Sequence, residues 1–203
     1  IESKSGIGYS TAFIGFMGLV IAHRLRGYAI RVGLLVSSAT ILLSFTMSGH
    51  SQLGGFASQA LLIIHLICIS FWLGALMPFR WMCLQPDPHN LSIVAHRFGI
   101  LAMGYVALLI SAGLAYAYLL LGDITLIVTT QYGNVLLVKI VLVVALLILA
   151  AFNKFKLVPT LEPRRTSNVS RFQRSIHLEI FIALLILTAS SFLTTSVTLP
   201  MAM

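Results

Sequence analysis

The 23 residues from Ala57 to Phe79, ASQALLIIHLICISFWLGALMPF, decide the fold. None of them is charged, and about 17 to 25 apolar residues are enough to cross a bilayer as one helix. Only a helix can satisfy the backbone hydrogen bonds of a single segment within lipid. The run therefore predicts a transmembrane helix, and a histidine and a cysteine, His65 and Cys68, interrupt its apolar sequence.

The rest of the chain has the same character. Of its 203 residues 59% are hydrophobic and only 9% are charged, and the mean hydropathy is +1.00. A water-soluble domain of this length would not have such a composition. Including the run above, six runs are apolar enough to span: Ile7 to Ala22, Tyr28 to Met47, Ala57 to Phe79, Phe98 to Leu121, Val135 to Phe152, and Ile176 to Val197.

Charge is concentrated in the loops between these runs. The net charge is +8, but the Lys and Arg residues gather in three alternate loops, HRLRGYAIR, RWMCLQPDPHNLSIVAHR and NKFKLVPTLEPRRTSNVSRFQRS. This is the pattern of topology signals, so we set nucleic-acid binding aside and place these loops in the cytoplasm. The sequence predicts an all-α, polytopic bundle of about six transmembrane helices in a lipid bilayer, with both termini on the outer, periplasmic side.

Glycines within the runs predict where helices pack closely, because small residues let two backbones approach in a membrane. The positions concerned are Gly15, Gly18, Gly74, Gly104 and Gly113.

His65 and Cys68 lie in the interior of the third run. His65 is eight residues from its outer end, roughly 12 Å along a helix, and Cys68 and Trp72 share its helical face. An imidazole and a thiol on one face are a plausible half-site for a soft ion such as Cu(I). The alternative is a packing role, in which His65 bonds to a neighbouring backbone and Cys68 is a small core residue.

A second histidine lies at the outer entrance to the same region. His50 follows the second run in MSGHSQ, and Met47 precedes it by three residues. Met47, His50, His65 and Cys68 thus form a predicted series of copper ligands descending from the outer surface. The alternative for His50 is an exposed loop histidine.

Polar residues also gather near the inner boundary. Glu179 could accept a hydrogen bond from Asn153 or pair with Arg174, and together with His177 it is a speculative exit-side ligand or proton acceptor. Catalytic motifs are absent: the chain has no nucleotide-binding glycine loop, no HExxH and no GxSxG. The chain is therefore expected not to be an enzyme.

The order of several motifs resembles the copper resistance D family. The motifs are GH at Gly49, HLICISFWLGAL from His65, RFG at Arg97, TTQYGNVLLVK from Thr129, Asn153, LVPTL at Leu157, and Arg174 ahead of Glu179. The resemblance runs from about Gly8 to Pro200. Ala75 and Gly99 depart from the family pattern, where Gly and Ser respectively are common, and these small-for-small exchanges affect packing more than function.

The resemblance implies a multi-pass protein of the bacterial inner membrane that takes part in copper uptake or handling. Family members usually carry further helices first, so residues 1–203 are expected to be a single transmembrane domain forming the carboxy-terminal part of a longer, eight-helix protein. A periplasmic copper-binding protein, of the copper resistance C type, is the expected partner. Copper would enter as Cu(I), or as Cu(II) delivered by that partner, with Cu(I) favoured inside the membrane; oligomeric state does not follow.

Two other functions remain open at this point. One is a b-type haem protein moving electrons, for which His23, His96 and His177 share an inner level while His65 has no partner histidine at its own depth. The other is a membrane partner that docks a periplasmic copper protein without transporting the ion.

Overall fold

The computed structural model describes residues 4–47, 55–85, 89–121, 126–161 and 166–195, which are helical apart from short connections. The helices are α1 (Lys4–Ala22), α2 (Tyr28–Ser44), α3 (Gly55–Met82), α4 (His89–Leu121), α5 (Leu126–Thr129), α6 (Gln131–Phe152) and α7 (Thr166–Thr195). The predicted all-α class is confirmed for this part of the chain.

Four of the helical segments are long and apolar enough to cross a membrane. They are Gly55–Met82, Asn90–Leu119, Gln131–Thr160 and Asn168–Thr194. The apolar helices of the first two runs are shorter, at Gly6–Ala22 and Tyr28–Ser44.

Several helices extend well beyond the apolar runs that predicted them. α4 begins at His89 and α7 at Thr166, about ten residues before the predicted starts at Phe98 and Ile176. Hydropathy detects only the embedded part of a helix, whereas its backbone hydrogen bonds continue into a polar segment. Segments that the sequence assigned to inner loops are therefore the polar ends of helices.

The chain divides into two compact units. The first comprises Ile1–Ile67 and Ser111–Gly122, and the second comprises Cys68–Ile110 and Asp123–Met203. Two of the three divisions fall within α3 and α4, and the third follows α4.

In the first unit, α1 packs on α2 through small residues. A Cβ atom added at Gly15 would lie 2.7 Å from Cγ1 of Ile41 and 3.1 Å from the carbonyl oxygen of Ser37. One added at Gly18 would lie 2.5 Å from the Ser37 hydroxyl. All three distances are shorter than van der Waals contact, so the close approach predicted at these two glycines is confirmed.

The other predicted glycines give a mixed result. Gly113 lies against the ring of His65, since an added Cβ would be 3.3 Å from the imidazole Cε1. Gly74 and Gly104 face open space, because a Cβ atom added at either position would have no atom of another described helix within 4 Å. The prediction of close approach was wrong at these two positions, because a small residue permits a contact without requiring one.

Aromatic rings connect α3, α4 and α7 in the second unit. Phe71 stacks on Tyr105 with ring centroids 4.0 Å apart and on Phe98 at 5.2 Å. Phe79 meets Phe98 edge to face at 5.1 Å and Phe172 at 6.1 Å. Such pairs add to the stability that their buried area provides, so these rings fix how the three helices pack.

α6 has a defined beginning and an unusual end. The Thr130 side chain accepts a hydrogen bond from the backbone N–H of Gly133, which caps the first turn. At the other end the chain passes into a π-helical turn, Asn153–Leu157, and then a 3-10 turn, Val158–Thr160. The N–H of Val158 donates to the carbonyl of Asn153, five residues back, and such wide turns are frequent at functional sites.

Candidate functional site

The outer part of the predicted copper path is only partly described. His50 lies outside the described residues. Met47 is half-buried beyond the end of α2, and its sulfur accepts a hydrogen bond from the Thr11 hydroxyl at 3.6 Å. Met47 is therefore oriented toward α1 within the first unit.

His65 and Cys68 are one helical turn apart on α3. His65 belongs to the first unit, where it is half-buried with its ring against Gly113 of α4. Cys68 belongs to the second unit, where its free thiol is 1% exposed. Both side chains are thus sheltered, as expected for a path residue and equally for a packing residue.

The described residues do not assemble a complete metal site. Among them, no group of three or more His, Cys, Asp and Glu side chains is placed to hold a metal ion. The assignment of Met47, His50, His65 and Cys68 as copper ligands consequently stays a prediction.

What the structure does bring together is a buried polar network around Glu179 in the second unit. Asn153 donates from Nδ2 to Oε1 of Glu179 at 2.5 Å, and the Trp72 indole N–H donates to Oε2 at 3.4 Å. The Ser175 hydroxyl donates to Oδ1 of Asn153 at 2.5 Å. Glu179 and Asn153 are 4% and 5% exposed, so the network joins α3, the π-helical turn and α7 in the interior.

The hydrogen bond between Asn153 and Glu179 was one of the predicted alternatives, and it is present. The alternative ion pair between Glu179 and Arg174 is not formed within the described part of the chain, where Arg174 is exposed. The reason is geometric: Arg174 is five residues from Glu179, so it points to a different face of α7.

Sequence reasoning missed two members of the network. Ser175 precedes Glu179 by four residues, a spacing that puts both on one helical face and could have identified it. Trp72 shares a face with His65, but its contact with Glu179 joins residues that are 107 positions apart. Helical periodicity carries no information on which helices become neighbours, so this contact could not be predicted.

Glu179 is the one carboxylate among the described residues, since Glu2, Asp87, Asp123 and Glu162 lie outside them. Its hydrogen-bond donors are an amide and an indole, both neutral. Burying a carboxyl group is costly, and these two hydrogen bonds compensate part of that cost.

The network forms one end of a cavity of about 170 Å³ in the second unit. Its wall is otherwise apolar and comes from α3, α4, α6, the π-helical turn and α7, with five aromatic rings among the lining residues: Trp72, Phe79, Phe98, Phe155 and Phe172. Asn153, Lys154 and Glu179 are its polar residues. This combination of apolar walls with a few convergent polar groups is typical of small-molecule sites.

Lys154 has a structural contact at the edge of this cavity. Its ammonium group donates to the carbonyl oxygen of Gly99 at 2.7 Å and lies 5.3 Å from the centre of the Phe155 ring. The π-helical turn is thereby attached to α4. Gly99 is one of the departures from the family pattern, and an added Cβ there would contact the Lys154 stem at 3.4 Å.

The residues predicted to lie near the inner boundary have separate partners. His177 accepts a hydrogen bond at Nε2 from Nε of Arg80 at 3.0 Å, and both side chains are exposed. His23 bonds through Nδ1 to the carbonyl oxygen of Leu19, 2.8 Å away in its own helix. Cys83, just beyond the α3 span, is buried, and burial raises the pKa of its thiol to about 11.

Comparison with known proteins agrees with the resemblance found in the sequence. Residues 93–193 match the copper resistance protein D family. The inner membrane protein YebZ of Escherichia coli (strain K12) is 30% identical over 136 residues, which are 65% of this chain and 46% of that protein. No solved structure matches the chain. The chain is a membrane protein that belongs, through residues 93–193, to the copper resistance protein D family.

Proposed function

We propose that this chain is a copper transport or copper-handling protein of the bacterial inner membrane, and not an enzyme. Membership of the copper resistance protein D family supports the connection with copper. The relative that covers 65% of the chain is named an inner membrane protein, which supports the location. The match spans 46% of the length of that relative, so the activity of the whole protein is part of the proposal.

The observation that carries the proposal is the position of His65 inside an apolar helix. Ionisable side chains in a membrane span are costly and usually functional. His65 is half-buried on α3, and the next turn presents the thiol of Cys68. Imidazole and thiolate ligands suit Cu(I), which makes a sheltered position of this kind appropriate for that ion.

The proposed path begins on the periplasmic side. His50 and Met47 would accept copper from a periplasmic copper-binding protein of the copper resistance C type, and His65 and then Cys68 would receive it within the bundle. Glu179 and His177 are proposed exit-side groups. Both already hold protein partners, so an exit role would require them to exchange those hydrogen bonds for the ion.

The proposed topology has six spans with both termini in the periplasm. Its support is the distribution of basic residues, because the turn after α1, the end of α3, the π-helical turn and the first turns of α7 all carry Lys or Arg. The domain would be the carboxy-terminal part of a protein with eight helices.

Anaerobic Cu(I) binding to the detergent-purified protein tests the proposal. We expect His65→Ala to lose about one tight site, while the matched control His96→Ala, an exposed histidine, retains the parent stoichiometry. Equal binding by the parent and His65→Ala would refute the role of His65.

Copper uptake into proteoliposomes separates transport from docking. A transporter moves the ion into the lumen, and His65→Ala should abolish this movement. A docking protein would bind copper at the surface without lumenal accumulation, which would leave copper handling as the function and exclude transport.

A further inference from the structure

We infer that the cavity of the second unit binds a hydroxylated aromatic ring that is dissolved in the bilayer, with Glu179 accepting a hydrogen bond from the ring hydroxyl. The inference shares only Glu179, a proposed exit-side group, with the copper proposal, because none of the described outer ligands, Met47, His65 and Cys68, lines this cavity. It rests on the size of the cavity, its walls, its polar end and its opening.

The size corresponds to a single ring. The cavity is about 170 Å³, whereas an apolar cavity of about 150 Å³ in another protein takes up one benzene molecule. A water molecule needs only about 10–15 Å³, but water is held where several polar partners surround it. The wall here is almost entirely apolar, so a compact organic group fits it better than a water cluster.

The walls favour a flat group. Phe79, Phe98 and Phe172 line the cavity, and Phe79 meets each of the other two rings edge to face. Trp72 also lines the cavity and is hydrogen-bonded to Glu179. Aromatic side chains interact favourably with another ring in offset-stacked or edge-to-face arrangements. A planar aromatic occupant would therefore gain more from these walls than a flexible chain would.

The polar end favours a hydrogen-bond donor. A carboxyl group can accept more than two hydrogen bonds, and within the described residues each oxygen of Glu179 accepts one. Acceptor capacity therefore remains at a carboxyl group that is 4% exposed. A hydroxyl group supplies the matching donor, and a hydrogen bond to a carboxylate in apolar surroundings is strong.

The opening indicates where the ligand comes from. Met103 and Phe155 line the cavity and are 50% and 65% exposed, in contrast to the buried Trp72 and Glu179. Met103 belongs to the apolar part of α4, and Phe155 stands between Lys154 and Lys156, so the opening lies where hydrocarbon meets the polar boundary. The ligand is therefore membrane-soluble, and the head group of a lipophilic hydroquinone has the required chemistry.

A lipid acyl chain is the main competitor for this cavity. It would satisfy the walls but could not donate to Glu179. A hydroxyl-bearing ring and the same ring without its hydroxyl consequently distinguish the two occupants.

The test uses fluorescence of Trp72, which lines the cavity. The chain has two tryptophans, and Trp81 is 64% exposed, so Trp81→Phe leaves Trp72 as the sole reporter. The probes are 4-bromophenol and bromobenzene, whose bromine atom quenches tryptophan at short range. Titrations of the full chain in detergent would measure saturable quenching above the linear effect of probe dissolved in the micelle.

Three variants in the Trp81→Phe background separate the contributions. Glu179→Gln removes the carboxylate while keeping the side-chain shape, and we expect 4-bromophenol to bind at least about tenfold more weakly. Bromobenzene should quench this variant as it does the parent, which shows that the cavity survives. Ala102→Leu places a larger side chain on the cavity wall and should remove saturable quenching by both probes, whereas Ala29→Leu, at an exposed position in the first unit, should change neither.

Each outcome decides the question. Tighter binding of 4-bromophenol than of bromobenzene, lost in Glu179→Gln and blocked in Ala102→Leu, supports the inference. Equal binding of the two probes in the parent would overturn it in favour of an apolar occupant such as an acyl chain. Absence of saturable quenching by either probe would show that the cavity takes no ring. No copper is present in the assay, so its failure would not bear on the copper proposal.

Discussion

Replacing Asn153 with Ala should destabilise the protein far more than an ordinary surface substitution. Asn153 donates to Glu179 and accepts from Ser175, and it is 5% exposed. The substitution therefore removes two buried hydrogen bonds at once. It also leaves the Glu179 carboxyl group with only the indole of Trp72 as a donor.

The expected magnitude follows from the kinds of hydrogen bond lost. A bond to a charged group contributes about 1.5–3 kcal/mol and one between neutral groups about 1 kcal/mol. Hydrogen bonds between membrane helices average only about 0.6 kcal/mol, because the unfolded chain in a membrane also finds partners. Since Glu179 would stay buried with one of its two donors gone, we expect the larger values to apply, and a loss of about 2–4 kcal/mol in the free energy of unfolding.

Unfolding by sodium dodecyl sulfate in mixed micelles, followed by far-UV circular dichroism, measures this loss. Asn134→Ala is the matched control, because Asn134 is exposed in the first turn of α6, the helix that leads into Asn153. This substitution should change the free energy of unfolding by no more than about 0.5 kcal/mol. A double variant, Asn153→Ala with Glu179→Met, should recover part of the loss, since the unsatisfied carboxyl group is removed too. If Asn153→Ala unfolds like Asn134→Ala, the network does not stabilise the fold and this reasoning is wrong.

Three further predictions concern other parts of the structure. Gly15→Ala should lower the free energy of unfolding by about 1–3 kcal/mol, because its Cβ would press on α2. Gly104→Ala, at a position that faces open space, should raise the free energy of unfolding by up to about 1 kcal/mol, since Ala has the higher helix propensity. Equal shifts of the two variants in sodium dodecyl sulfate unfolding would argue against close packing of α1 on α2. Thr130→Ala should lower the free energy of unfolding by about 1 kcal/mol in the same measurement, since the Thr130 side chain caps α6. If Thr130→Ser keeps the parent stability and Thr130→Val does not, the hydroxyl group is the cause. In a Cys68→Ala background, maleimide should label Cys83 slowly at neutral pH, and the labelling rate should rise about tenfold per pH unit toward pH 9. The reason is that burial raises the thiol pKa of Cys83 to about 11, so little thiolate is present below that pH. A labelling rate that does not change with pH over this interval would contradict that pKa.

The sequence was sufficient to predict the class of fold and much less informative about its contacts. Hydropathy located every helix that is apolar enough to span, because the bilayer imposes the same requirement on each segment separately. It missed the polar first turns of α4 and α7 for the same reason. The helix bounds are therefore best predicted where the helix is embedded and worst where it enters water.

The sequence likewise predicted one part of the candidate site and not the rest. The hydrogen bond between Asn153 and Glu179 was among the predicted alternatives because both are polar residues at a similar depth near the inner boundary. The participation of Trp72 and the presence of a cavity depend on which helices become neighbours, and one-dimensional patterns do not contain that information. The proposed copper ligands depend on the outer loop as well, where His50 lies outside the described residues.

The π-helical turn at Asn153–Leu157 makes this part of the chain sensitive to length in a way that the other helices are not. A π turn contains one residue more than the α turn that it replaces, so deleting a single residue here can restore an α-helix. Such a deletion would rotate the 3-10 turn that follows by about 100° relative to α6. Val158 and Leu161, now buried, would change phase and leave the interior. The length of this turn therefore sets which side chains of residues 158–161 reach the interior of the second unit.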